Sequence, residues 1–220
     1  MTSPPLLAAI FDLDGVLLDT EPLYTQATQT VLNAYGKSYS WELTRHVMGR
    51  SPWQGATWLV RELDLPISPE QYLRERAVWL SQLFPQCPAV EGAESLVSRL
   101  HLRGVRLAVA TSSEREMYDL KIISHPWFTR FQSVVCGDDP RLAQAKPAPD
   151  IFLLAASELS VTSDQCLVFE DSPAGVSAAN AARMRVIARL AAPLQRCDLA
   201  LADTIVTDYD QIDLEALLRN

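Results

Sequence analysis

The sequence lacks any run approaching the roughly 20 apolar residues that a membrane-spanning helix needs. Its first apolar stretch, Leu6–Phe11, is too short for a secretory segment and is stopped by Asp12. The four cysteines, Cys87, Cys136, Cys166 and Cys197, include no CxxC spacing. Cys136 and Cys166 fall in apolar runs, so they read as buried reduced thiols. Together these absences point to the cytoplasm. Positive charge is scarce as well: 19 Lys and Arg against 27 Asp and Glu leave a formal net charge of −8. Such a balance argues against a nucleic-acid or anionic-membrane partner and leaves a small molecule. A phosphate site stays open, because a metal and one lysine can make a small positive pocket inside an acidic protein.

What is present is an alternation of apolar runs and helical patterns. With 220 residues, 48% of them hydrophobic, there is material for an α/β core with or without a small insertion. Leu6–Phe11, Val105–Ala110, Ser133–Cys136, Cys166–Phe169, Arg185–Ala188 and the short Thr204–Val206 read as strands. Glu114–Ile123, Asp150–Leu159 and Ala174–Ala182 read as helices between them, which predicts a parallel sheet. About 90 residues separate the first two runs, where a strand–helix–strand unit needs roughly 30. Glu91–Leu102 serves as the crossover helix. The rest of that gap reads as helices alone: Pro22–Tyr35, Trp41–Met48, Trp53–Leu63 and Pro69–Phe84. Ser68-Pro69-Glu70-Gln71 is a helix start, with serine at the cap and proline first.

The chemistry sits just beyond these runs. Asp12-Leu13-Asp14-Gly15 follows the first. In open α/β sheets ligands bind past the carboxyl ends of the strands, so both carboxylates face the expected site. Read alone, the motif is also an ordinary turn. Phosphoryl transfer needs an in-line nucleophile, neutralised charge and a proton for the leaving group. A carboxylate such as Asp12 can take the phosphoryl group itself, splitting the reaction in two. Asp14 can protonate the leaving alkoxide and then accept a proton from water. Thr111-Ser112-Ser113 closes the second run; it can cap a helix, with Ser113 as the cap, or cradle a phosphate. Lys146 is one of three lysines beside sixteen arginines, the others being Lys37 and Lys121. A chain so partial to arginine keeps a compact point charge there, able to hold the Asp12 carboxylate and a phosphoryl group together. Glu170-Asp171 ends the Cys166–Phe169 run ahead of Ser172-Pro173. Acidic residues at that place cap a helix. With Asp12 and Asp14 they also complete a hard-oxygen pocket suited to Mg²⁺ with waters retained.

The order of these motifs resembles the haloacid dehalogenase-like hydrolase superfamily over essentially the whole chain. Tyr39-Ser40-Trp41, Val47-Met48-Gly49, Phe84-Pro85 and Gly137-Asp138-Asp139-Pro140 are similar to its β-phosphoglucomutase-like and pseudouridine-5′-phosphatase-like subgroup. The resemblance implies a doubly wound parallel α/β core, residues 1–18 and 86–220, with an inserted helical cap, residues 19–85. It implies a Mg²⁺-dependent phosphatase acting through a phospho-aspartyl intermediate; separately, a monomer is expected. The substrate is a small phosphorylated metabolite: a sugar phosphate or a nucleoside phosphate, with pseudouridine 5′-phosphate a candidate. By the same resemblance Asp12 is the nucleophile and Asp14 the acid and base. Thr111 and Lys146 bind phosphate and Glu170 and Asp171 hold the metal; the residues themselves add Ser112 and Ser113 to the phosphate cradle and Asp12 and Asp14 to the metal pocket. Arg50, after a flexible glycine between two cap helices, is the expected cap contact with substrate.

There are departures from the pattern. Ala145 stands where relatives often have glycine, and Arg183 replaces a glycine usual before the fifth strand. The subgroup's mutases carry a histidine near Pro22-Leu23-Tyr24, and none is there. That sets the phosphosugar mutase alternative behind the phosphatase. A phospho-receiver signalling domain uses similar groups, but it has no helical insert and needs no acid at the Asp14 position.

Overall fold

The computed structural model of the protein describes residues 5–47, 51–191 and 194–219. Its strands are β1 (Ala8–Phe11), β2 (Arg106–Ala110), β3 (Ser133–Val135), β4 (Cys166–Glu170), β5 (Arg185–Arg189) and β6 (Thr204–Val206). Its α-helices are α1 (Glu21–Asn33), α2 (Trp41–Val47), α3 (Pro52–Glu62), α4 (Pro69–Leu83), α5 (Ala93–Leu102), α6 (Arg115–Ile122), α7 (Asp150–Glu158), α8 (Pro173–Ala181) and α9 (Leu214–Arg219). No helix among the described residues is long and apolar enough to cross a membrane.

All six strands join one parallel sheet in the order β3-β2-β1-β4-β5-β6. Unbroken apolar runs suit strands covered on both faces, and β1 and β4 are buried along their whole length. Side chains still alternate between the faces. Ala8, Ile10, Ala108, Val168 and Val186 share one core with α7 and α8. On the other face Phe11 stacks on Phe169 with ring centroids 4.4 Å apart. Phe131 meets Phe11 edge-on, and Tyr209 meets Phe169 likewise. The winding reverses between β1 and β4, and in such sheets the crevice for a ligand opens there.

Contacts divide the chain in two. One unit runs through Asp19 and resumes at Pro88, and Thr20–Cys87 forms the other. The second unit is helical, with a core of Val31, Leu32, Ala56, Leu59, Leu65 and Tyr72. Tyr72 donates its hydroxyl to Thr28 Oγ1 at 3.2 Å, so its buried polar end is paired. Ser51 caps α3 reciprocally with Gln54, each backbone N–H donating to the other's side chain at 3.2 Å. Ser68 caps α4 on one side only. Its Oγ accepts the Gln71 N–H, while the Gln71 amide turns to Glu75 at 2.9 Å.

Helix ends account for most differences from the sequence reading. The crossover helix starts at Ala93 rather than Glu91, because Gly92 precedes it with φ at +77°. Ser113 is not the cap of α6. Glu114 takes that position without a side-chain capping bond, and the Ser113 hydroxyl is engaged elsewhere. Met48, the expected end of α2, lies outside the described residues.

Candidate active site

The pairing register builds the centre of the site. Phe11 stands opposite Val109 on one side and Phe169 on the other. The next rung therefore carries Ala110, Asp12 and Glu170 side by side at the carboxyl ends of β2, β1 and β4. Lys146, from the loop before α7, reaches all three. Its Nζ donates to Asp12 Oδ1 at 2.6 Å, to Glu170 Oε1 at 2.6 Å and to the Ala110 carbonyl at 3.1 Å. An ammonium has three protons, and these bonds use them all. The expected bond to Asp12 is present, but no donor is left over to grip a phosphate. Lys146 offers charge instead.

Glu170 is equally committed. Its Oε2 accepts the Asp171 N–H at 2.9 Å, and the Ser172 N–H and hydroxyl at 3.0 Å each. Ser172 in turn caps α8, its Oγ accepting the Gly175 N–H at 3.0 Å. The carboxylate thus lies on the start of α8, where unpaired N–H groups and the helix dipole favour an anion. A Cβ at position 175 would overlap it, so the close approach requires glycine.

Asp14 belongs to a second cluster. Lys121, fully buried on α6, donates to Asp14 Oδ1 at 2.6 Å and to Ser113 Oγ at 2.8 Å. Ser113 donates its hydroxyl to Asp14 Oδ2 at 2.8 Å. Ser113, expected on the phosphate, is thus bonded to Asp14. Thr111 is fully buried, and its Oγ1 accepts the Ser113 N–H at 3.1 Å, which tightens the loop after β2. Ser112 lies with its backbone against Gly137, where a Cβ would overlap the Ser112 carbonyl. Arg50 lies outside the described residues.

Asp12 and Asp171 remain exposed to unbalanced charge. Burial pushes Asp12 up to about 7, with Glu170 and Asp14 adding to the rise and Lys146 opposing it. Burial also carries Asp171 well above the carboxylate range, helped by Glu170, Asp12 and Asp14. Burial works against the Lys146 ammonium, yet Asp12 and Glu170 hold it above its ordinary range. No donor among the described residues meets Asp12 Oδ2 or the Asp171 carboxylate. The buried Asp12 and half-buried Asp171 oxygens are what a divalent cation needs, and a cation would relieve their repulsion. Of the four carboxylates expected around a metal, Asp14 and Glu170 already have both oxygens bonded to protein donors. No three carboxylate, imidazole or thiol groups among the described residues form a metal cage. A cation here would take Asp12 and Asp171 and complete its shell with water or backbone oxygen, as Mg²⁺ commonly does.

Sequence reasoning passed over the residues that fix the Asp14 loop. Arg189 donates to the Gly15 carbonyl at 2.9 Å, and the Tyr209 hydroxyl to the Val16 carbonyl at 2.8 Å. No spacing marks either residue. Lys121 carried a weak signal, as a lysine in an arginine-rich chain.

The profile of the haloacid dehalogenase-like hydrolases matches residues 9–189. A probable pseudouridine-5′-phosphatase of Drosophila melanogaster is 44% identical over 182 residues, 81% of this chain and 79% of that protein. An Arabidopsis thaliana protein named (DL)-glycerol-3-phosphatase 2 is 40% identical over 207 residues, 90% of this chain and 85% of its own. The solved structure of a putative β-phosphoglucomutase from Thermotoga maritima superposes with a TM-score of 0.78 at 30% identity, over 91% of this chain and 94% of that one.

Proposed function

This chain belongs to the haloacid dehalogenase-like hydrolase family and is a phosphatase, and from that premise we propose that Asp12 is its nucleophile and Asp14 its acid and base. The observation that carries this is the state of Asp12. One oxygen is pinned by Lys146, and the other, at the end of a central strand, meets no donor among the described residues. The free oxygen attacks phosphorus, and the bond from phosphorus to the substrate oxygen breaks. Asp14, which must enter this step in its protonated form, gives that oxygen its proton. Water then attacks the phosphorus of the acyl phosphate, Asp14 takes the water proton, and phosphate leaves with the Asp12 carboxylate restored. Asp12 and Asp171 would hold a divalent cation, proposed as Mg²⁺, which supplies positive charge beside the phosphoryl oxygens. Lys146 keeps Asp12 oriented and adds a fixed positive charge.

The substrate is proposed to be a small phosphomonoester, of the kind named for the two curated relatives: a nucleoside phosphate such as pseudouridine 5′-phosphate, or a sugar or polyol phosphate such as glycerol 3-phosphate. Arg50 is proposed, on sequence grounds, to meet the leaving group. The protein is proposed to be a cytoplasmic monomer; Cys87, Cys136, Cys166 and Cys197 form no disulfide. The test is phosphate release from a panel holding pseudouridine 5′-phosphate, glycerol 3-phosphate, hexose phosphates and flavin mononucleotide. At least one should reach a kcat/KM of roughly 10⁴ M⁻¹s⁻¹. Asp12→Asn should abolish turnover and any acid-labile phosphoenzyme. Turnover surviving in Asp12→Asn would remove Asp12 from the nucleophile's role.

A further inference from the structure

We propose that Lys121 is the positioning residue of Asp14, fixing the direction of the carboxylate that serves as acid and base. This rests on the role assigned to Asp14 above. The sheet-bearing unit contains two lysines, and each is buried against one of the two aspartates. Lys146 holds Asp12, and Lys121 holds Asp14 at the same 2.6 Å. Lys121 has no exposure at all, while the Asp14 side chain keeps 28% of its own. The lysine therefore cannot touch a substrate. It stands behind the carboxylate, which still faces solvent on its other side.

The arrangement is closed as well as buried. Lys121 donates to Asp14 Oδ1 and to Ser113 Oγ, and the Ser113 hydroxyl donates to Asp14 Oδ2. One donor sits on each carboxylate oxygen, and the two donors are bonded to each other. A carboxylate held at both oxygens cannot rotate about its last bond without breaking one of these contacts. Lys121 reaches this place because α6 buries one face, and Tyr118 and Lys121, three apart, are its buried residues. An ammonium is the smallest cation that can bond two acceptors in so tight a space; a guanidinium fork is larger and planar. Burying a charge is costly, so the pair is poor evidence of added stability and better read as a device that fixes geometry.

The experiment compares leaving groups. Phenyl phosphate and glycerol 3-phosphate need a proton as they depart, and 4-nitrophenyl phosphate hardly does. Lys121→Met should lower kcat on the first two by roughly 100-fold, the scale of a lost general acid, with KM little changed. It should spare 4-nitrophenyl phosphate to within a few-fold. Placed in an Asp14→Asn background, Lys121→Met should cost almost nothing more on the poor leaving groups, because the two act as one unit. Ser113→Ala, which leaves no buried charge unpaired, should reproduce the selective loss at about tenfold and carries the test should Lys121→Met fail to fold. Equal losses on all three substrates, or undiminished costs in the Asp14→Asn background, would overturn the positioning role. If Asp14→Asn itself shows no preference among leaving groups, the acid assignment of Asp14 falls instead.

Discussion

A side chain of any size at position 15 would run into the Asp171 carboxylate, and φ there is +76°. Gly15→Ala should add left-handed strain of about 1–2 kcal/mol and also displace a carboxylate proposed to hold the cation. Its melting temperature should fall, and turnover should drop further than the lost stability explains, both measured on one preparation. Turnover equal to the parent's would show that Asp171 has room to move. Asp12, Asp14, Glu170 and Asp171 could be found in the sequence because each lies within a few residues of an apolar run, and a parallel sheet brings such strand ends together. Lys121 could not be assigned that way. Its place depends on which face α6 buries and on the loop that sets Ser113 beside it. Arg189 and Tyr209 were illegible for a similar reason: they act on backbone carbonyls, which leave no trace in residue types.

Helix ends show how a chain with eight glycines manages its turns. After α5, Gly104 takes the left-handed position, its N–H bonding the His101 carbonyl while Val105 bonds Leu100. The same paired bonds close α3, α7 and α8, but Asp64, Ser160 and Arg183 adopt the positive φ. Arg183, at φ +59°, lacks the short polar side chain that eases aspartate into that region. Arg183→Gly should stabilise the protein by about 1 kcal/mol, seen as a rise of about 2–4 °C in the melting midpoint. Activity should not change, because Arg183 lies outside the site. A lower midpoint would mean that the arginine side chain makes a compensating contact. Strand positions were legible from apolar runs to within a residue or two, since burial on both faces leaves no other pattern. The six-residue α9 was not, because so short a helix shows too few turns for its period to register.

At the scale of the whole molecule, the excess length between the first two strands pointed to an insertion, and Thr20–Cys87 forms a separate helical unit. Composition announced neither the strand order nor which carboxylates would be left without donors, since both follow from pairing. A cation held by Asp12 and Asp171, as proposed, would relieve the repulsion that raises both carboxyls and so should stabilise the fold. Mg²⁺ at 100 times its dissociation constant should add about 2.7 kcal/mol, a rise of about 5–10 °C in the melting midpoint. Excess chelator should reverse it, and Asp171→Asn should blunt it. An unchanged midpoint with and without Mg²⁺ would argue that no cation binds there. The position of β1 has a consequence for synthesis. It lies between β2 and β4, so Ala8 must wait for both Arg106 and Cys166. At about 5–20 residues per second, a ribosome takes roughly 10–30 s to deliver the second of them. Until Cys166 arrives the nascent chain carries an apolar strand with at least one open edge, and the residues of the helical unit are made within that interval. An unpaired apolar edge is a site where nascent chains can associate, and the rung that carries the chemistry cannot close until β4 has been made.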